Sequence, residues 1–114
     1  IAASKAEGNT FMKGISELRL KESDRIKMIS SGLNSSGIKT IETEDSLKIF
    51  GGNIKGGCIL KSNLDHRIAM SFLILGLVAE EPIVVQNCDT INSSFPNFKN
   101  LMKELGANIS GANF

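Results

Sequence analysis

The stretch from Ile68 to Ala79, interrupted by Ser71, is the longest apolar run in the chain. A bilayer core about 30 Å thick needs about 20 apolar residues in a helix, so this run is too short to span one. It reads instead as a helix from about Asp65 to Ala79, with Asn63 or Asp65 as its cap. A helix that is apolar almost all round must be covered on most sides. The rest of the chain therefore has to supply layers around it.

Those layers are visible as short elements punctuated by glycine. Ile1 to Glu7 reads as a helix closed by Gly8, and Thr10 to Ile15 as a short strand. Ser23 is a candidate cap for a helix whose apolar face is Ile26, Ile29 and Leu33. Ile38 to Glu42 and Leu47 to Phe50 alternate as strands around a TED turn, and GGNIKGG is a connection. Cys58 to Leu60 and Ile83 to Gln86 are further strand candidates, and NCDTINSS is a loop. Pro96 suits the first turn of a last helix, with Phe98, Leu101, Met102 and Leu105 as its buried face. Gly106 ends that helix, and Ala107 to Ile109 begins another strand. The order helix, glycine, strand occurs twice, as GLNSSGIKTI and LMKELGANI. The alternation predicts an α/β layered domain with no internal boundary over residues 1–114.

Composition narrows the function. The net charge of +1 lacks the basic excess of a nucleic-acid-binding surface. Without Trp or Tyr, the core must be aliphatic with six Phe. Cys58, in an apolar run, reads as a small buried hydrophobe, and Cys88 as part of a polar turn. Neither has metal-ligand spacing, and the single His66 builds no metal site with them. No segment resembles a signal peptide. The first residues, IAASKAEGN, read like a helix already under way, and the expectation is a piece of a longer protein.

LKESDR places four charges of both signs between Lys21 and Arg25, just where a helix starts. DHR repeats the theme at residues 65–67. A helix N-terminus disfavours an arginine by about 0.3–1 kcal/mol. An anion held there reverses the sign, because backbone N–H groups and a guanidinium fork both point at it. Ser93 and Ser94 offer hydroxyls at the third helix start. A phosphorylated or carboxylated ligand suits this set, with Glu22 and Asp24 as candidate proton carriers. The charges alone fit a solvated surface with weak pairs better than a site. Asp65 more readily fits a simple cap paired with Arg67, His66 a packed or surface residue, and SSFP a capping signal.

Three longer stretches go further. AEGNTFMKGISELRLKESDRI, LDHRIAMSFLILGL and SSFPNFKNLMKELGANI closely resemble the C-terminal part of the 5-enolpyruvylshikimate-3-phosphate (EPSP) synthase family. The style is similar to its glyphosate-tolerant bacterial branch. The resemblance implies part of a two-lobed fold built from βαβαββ repeats, an inverted α/β barrel in each lobe. It implies transfer of the enolpyruvyl group of phosphoenolpyruvate (PEP) to the 5-hydroxyl of shikimate 3-phosphate, on the route to chorismate. It implies a bacterial cytoplasmic setting, no metal and no organic cofactor. The partners implied are those two small molecules and the N-terminal lobe, with no nucleic acid and no membrane.

Carried over by residue, the resemblance makes Lys21 a contact of shikimate 3-phosphate and, with Glu22, a catalytic candidate, Glu22 being the proton carrier beside the PEP methylene. Arg25 and Arg67 become the two arginines that grip PEP, seated over two helix N-termini and sharing one hollow. Asp65 becomes cap and orienter, and His66 a support. Ser93 stands where many family members have a lysine, so that charge is missing here. The family's principal proton-accepting aspartate lies upstream of the AEG segment, before Ile1, so the fragment alone is expected to be inactive. Two rivals are a piece of the sister transferase acting on UDP-N-acetylglucosamine and a non-catalytic ligand-binding module. The LKESDR and DHRIAM pair speaks against the first.

Overall fold

The computed structural model describes residues 1–111. Helix α1 (Ala2–Lys5) leads into strand β1 (Asn9–Lys13), then a 3-10 turn at Ser16–Leu20. Helix α2 (Arg25–Ser35) is followed by β2 (Thr40–Glu42) and β3 (Ser46–Phe50). Then come β4 (Ile59–Lys61), helix α3 (His66–Leu77) and β5 (Val84–Gln86). A 3-10 turn at Cys88–Thr90 and the short helices α4 (Ile91–Ser94) and α5 (Phe98–Glu104) complete the order.

The strands form two small sheets. In the first, β3 lies between β1 and β2 and is antiparallel to both. Strands β1 and β2 therefore run the same way, joined by α2 as a split βαβ crossover. In the second, β4 and β5 are parallel neighbours connected by α3. The fold class is thus mixed α/β, as the alternation of patterns predicts.

Helix α3 is apolar nearly all round because it serves two cores. Ile68, Phe72 and Leu75 join Ile26, Leu33, Leu47, Ile49 and Leu60 in one cluster. Ala69 joins Cys88, Ile91 and Phe98 in another, with Met70, Leu73 and Ile74 packed against it. Helices α2 and α3 lie in close contact where Gly32 meets the Phe72 ring. A Cβ at Gly32 would come within 2.3 Å of the ring carbon Cζ. Residue 32 lies seven positions beyond Arg25, and Phe72 seven beyond Asp65. The helices therefore run side by side in the same direction, with their N-termini together.

Several expectations shift. Asp24, not Ser23, caps α2: its carboxylate accepts from Lys27 N. The Ser23 hydroxyl is engaged elsewhere, by Asp65. Helix α1 stops at Lys5 because Ala6 is extended and turns the chain alongside Gly51. The segment expected as a loop, residues 87–94, contains the Cys88–Thr90 turn and α4. Pro96 falls before α5, whose N-cap is Asn97. Leu105 is 80% exposed and does not join the buried face of α5. The cysteines exchange roles, with Cys88 buried and Cys58 only half-buried. Burial pushes the Cys88 thiol pKa up, and nearby Asp89 adds to this.

The repeated helix–glycine pattern is real at the level of the caps. Gly37 and Gly106 both take φ +93°, a left-handed value that glycine adopts without penalty. Ile38 N donates to Leu33 O, and Ala107 N donates to Met102 O, the same closing bond in each. The echo then stops. Strand β2 finds β3 beside it, whereas residues 107–111 have no neighbouring strand among the described residues and form none.

Candidate functional site

The N-termini of α2 and α3 meet at one carboxylate. Asp65 is fully buried. It caps α3 by accepting from Arg67 N at 3.0 Å and from Ile68 N at 3.4 Å. Across the helix pair, it accepts from Arg25 Nε at 2.9 Å, Arg25 Nη2 at 3.3 Å and the Ser23 hydroxyl at 2.8 Å. Burial alone pushes the Asp65 carboxyl up. The hydrogen bonds from Arg25, Ser23 and Ile68 N, with the charge of Arg25, outweigh burial and hold it below the usual carboxylate range. Arg25 is held further in its charged form by the same contacts.

The backbone before Asp65 is shaped to deliver it there. Asn63 and Leu64 sit at φ 50° and 62°, in the left-handed region. For a leucine this conformation costs about 1–2 kcal/mol. Ser62 anchors the strained turn: it is fully buried and its hydroxyl donates to Asn87 O. Strain of this kind persists only where surrounding contacts over-determine it.

The other predicted residues divide into groups. Glu22 lies at the site, with Oε2 in close contact with Arg25 Nη2. Lys21 turns to Glu17, with Nζ 2.8 Å from Oε1. Arg67 is exposed, and its guanidinium makes no hydrogen bond or ion pair among the described residues. Arg25 is only partly free. Its Nε and Nη2 are taken by Asp65 and Glu22, while Nη1 has no partner among the described residues. His66 is the first residue of α3 and half-buried. Ser93 sits exposed on α4, which packs on α3, and makes no hydrogen bond to this cluster.

Neither of two cavities in this chain is lined by Arg25 or Arg67, so neither is the hollow expected between them, and the Arg25 side chain is only 11% exposed. A broad cleft of about 1560 Å³ lies elsewhere, behind α3, lined by Leu73, Leu77, Ile83, Met102 and Ile109. A smaller cavity between Met28, Ile59 and Phe72 also excludes both arginines.

One residue bordering the site carries no signal in the sequence. Arg19 donates from Nη1 to both oxygens of Asp24, at 3.1 and 2.9 Å. Its Nη2 donates to Glu42 Oε2 at 3.1 Å and Thr43 O at 2.6 Å, and its Nε to Glu44 O at 2.9 Å. These partners lie up to 25 residues away, and no local spacing signals them.

Chemically, the face combines two parallel helix N-termini, an unpaired guanidinium, a half-engaged one, a lysine in an exposed pair and a carboxylate. It is equipped to hold a multiply charged anion and to move a proton beside it. No group of three or more His, Cys, Asp or Glu with metal-holding geometry occurs among the described residues. No helix there is long and apolar enough to cross a membrane.

Known proteins match closely. The family model of EPSP synthase (3-phosphoshikimate 1-carboxyvinyltransferase) matches residues 1–102. A 3-phosphoshikimate 1-carboxyvinyltransferase of Parvibaculum lavamentivorans is 50% identical over 113 residues, covering 97% of this chain and 25% of the relative. That of Cereibacter sphaeroides is 48% identical, covering 96% of this chain and 25% of the relative. Among solved structures, EPSP synthase from Acinetobacter baumannii superposes with a TM-score of 0.85 at 42% identity, over 90% of this chain and 25% of that one. The chain thus spans about a quarter of the length of the relatives it matches.

Proposed function

The chain belongs to the EPSP synthase family, and on that premise we propose that it forms the C-terminal quarter of a working enolpyruvyl transferase. In this reading the parent protein moves the enolpyruvyl group of PEP to the 5-hydroxyl of shikimate 3-phosphate and releases phosphate. It acts in the cytoplasm, and the missing half of the site comes from the N-terminal lobe of the same protein. The observation that carries the reading is the meeting of two parallel helix N-termini at Asp65, with Arg67 unpaired beside them.

Arg67 and the free Nη1 edge of Arg25 take the phosphate and carboxylate of PEP, assisted by the helix dipoles. Asp65 holds the Arg25 fork in a fixed direction from below. Lys21 exchanges its exposed pair with Glu17 for the phosphate of shikimate 3-phosphate. The reaction needs an addition and an elimination. In the addition, the 5-hydroxyl oxygen bonds to C2 of PEP and loses its proton, while the C3 methylene gains one and becomes a methyl group. In the elimination, the C2–O bond to phosphate breaks and the methyl gives a proton back, restoring the double bond. In this reading Glu22 carries the C3 proton, supported by its contact with Arg25. The base for the 5-hydroxyl belongs to the other part of the parent. Ser93 contributes a hydroxyl donor and no charge.

The test is the Arg67→Ala variant in the full-length parent, with PEP binding measured by calorimetry. Loss of a charged hydrogen-bond donor worth about 1.5–3 kcal/mol predicts a fall in affinity of about ten- to a hundredfold. Unfolding with unchanged affinity per folded molecule would assign Arg67 to packing and overturn the reading.

A further inference from the structure

The structure assigns to Arg19 the role of a clamp that sets the direction of Lys21 and Glu22; this rests on the function proposed above. A guanidinium has five N–H donors. All five are used here, on Asp24 (two), Glu42, Thr43 O and Glu44 O. The side chain is only 17% exposed. Three separate pieces of the fold converge on it: the 3-10 turn that carries it, the cap of α2, and the turn between β2 and β3.

The geometry gives this cluster its consequence. Arg19 and Asp24 flank Leu20, Lys21, Glu22 and Ser23, and their side chains are bonded to each other. The four residues between them form a loop closed at both ends, fastened to the β2–β3 turn by the same guanidinium. Lys21 and Glu22 are exposed, and the other ties of this segment are side-chain ones, Lys21 to Glu17, Glu22 to Arg25 and the Ser23 hydroxyl to Asp65. Asp24 meanwhile keeps one oxygen on Lys27 N as the cap of α2, so the clamp also fixes where Arg25 begins. Burial pushes the Asp24 carboxyl up, while the Lys27 N–H and Arg19 bring it below its ordinary range and keep it charged for this double duty. Arg19 touches no reacting atom in this scheme; it is a positioning residue.

Lysine cannot take its place. One ammonium offers three donors without a planar fork and cannot span five acceptors. Arg19→Lys in the full-length parent is therefore the informative variant, with active sites counted by titration. The expected result is a rise of about tenfold in KM for shikimate 3-phosphate and a fall of about tenfold in turnover per titrated site, because a small misplacement of reacting groups is costly. PEP affinity changes less than about threefold, because Arg67 lies on α3 and the Arg25 fork is held by Asp65 independently of Arg19. Amide hydrogen exchange at Lys21–Ser23 speeds up in the ligand-free protein. Methylguanidine partly restores turnover to Arg19→Ala. Should Arg19→Lys fail to fold, Asp24→Asn serves the same test, since it keeps a capping oxygen and loses the charge. Wild-type KM and turnover per site, with unchanged exchange at Lys21–Ser23, would overturn the clamp. So would a loss of activity accounted for wholly by fewer titratable sites. If Arg67→Ala in the same protein also leaves PEP affinity intact, it is the functional reading that has failed; if Arg67→Ala weakens PEP binding while Arg19→Lys does nothing, only the clamp has.

Discussion

The starts of α2 and α3 look alike in sequence, each with an aspartate cap followed closely by an arginine, yet they are used differently. At α2, Arg25 is drawn inward by a buried carboxylate and its charge is largely answered within the protein. At α3, Arg67 supplies only its backbone N–H to Asp65, and its guanidinium is left to solvent. One arginine is chiefly part of the fold, and the other is available to a ligand. Two motifs of the same composition can therefore differ in where their free energy is spent, on stability or on binding.

Substitutions can break that contrast or sharpen it. Arg25→Ala leaves a fully buried carboxylate unpaired, and loss of one partner of such a pair costs about 3–5 kcal/mol. Urea denaturation of the chain measures it; a loss below about 1 kcal/mol would put the two arginines on the same footing. Asp65→Asn sharpens the contrast through pH. The folded pKa of Asp65 is lowered, so its stabilisation is complete above the unfolded value of about 3.9 and fades as pH falls through the lower folded value. Melting curves should therefore show a stability gap between wild type and Asp65→Asn at neutral pH that narrows below about pH 4. A gap independent of pH would mean that capping, not charge, is what Asp65 supplies. Leu64→Gly removes left-handed strain but frees the unfolded chain, and the two nearly offset, for a net change below about 1 kcal/mol by urea denaturation. The smallest effect is Arg67→Ala on stability, within about 0.5 kcal/mol, because the side chain holds nothing in the fold.

What the sequence disclosed follows the range of the interactions. The burial of α3 is a local matter of hydropathy and could be read directly, whereas the cap stayed open between Asn63 and Asp65 until the left-handed turn at Asn63 and Leu64 gave it to Asp65. Ser23 and Asp24 are equally good caps on paper. The choice between them depends on Asp65, 42 residues from Ser23, which takes the serine hydroxyl. The bond between Arg25 and Asp65 spans 40 residues and has no local signature, so Arg25 could not be separated from Arg67 beforehand. The closing pattern at Gly106 matched the one at Gly37, but a strand also needs a neighbour, and residues 107–111 lack one among those described. The family likeness supplied the chemistry that spacing alone left open between a surface and a site.

The parallel run of α2 and α3 has one more effect. Each helix presents roughly half a unit of positive charge at its N-terminus, and here two such ends are adjacent. These partial charges belong to peptide groups, which neither gain nor lose protons when the medium is acidified or made alkaline. The peptide share of the field an anion meets at this face is therefore indifferent to acidity, while the capping carboxylates Asp24 and Asp65 that sit on the two ends oppose it in their charged form.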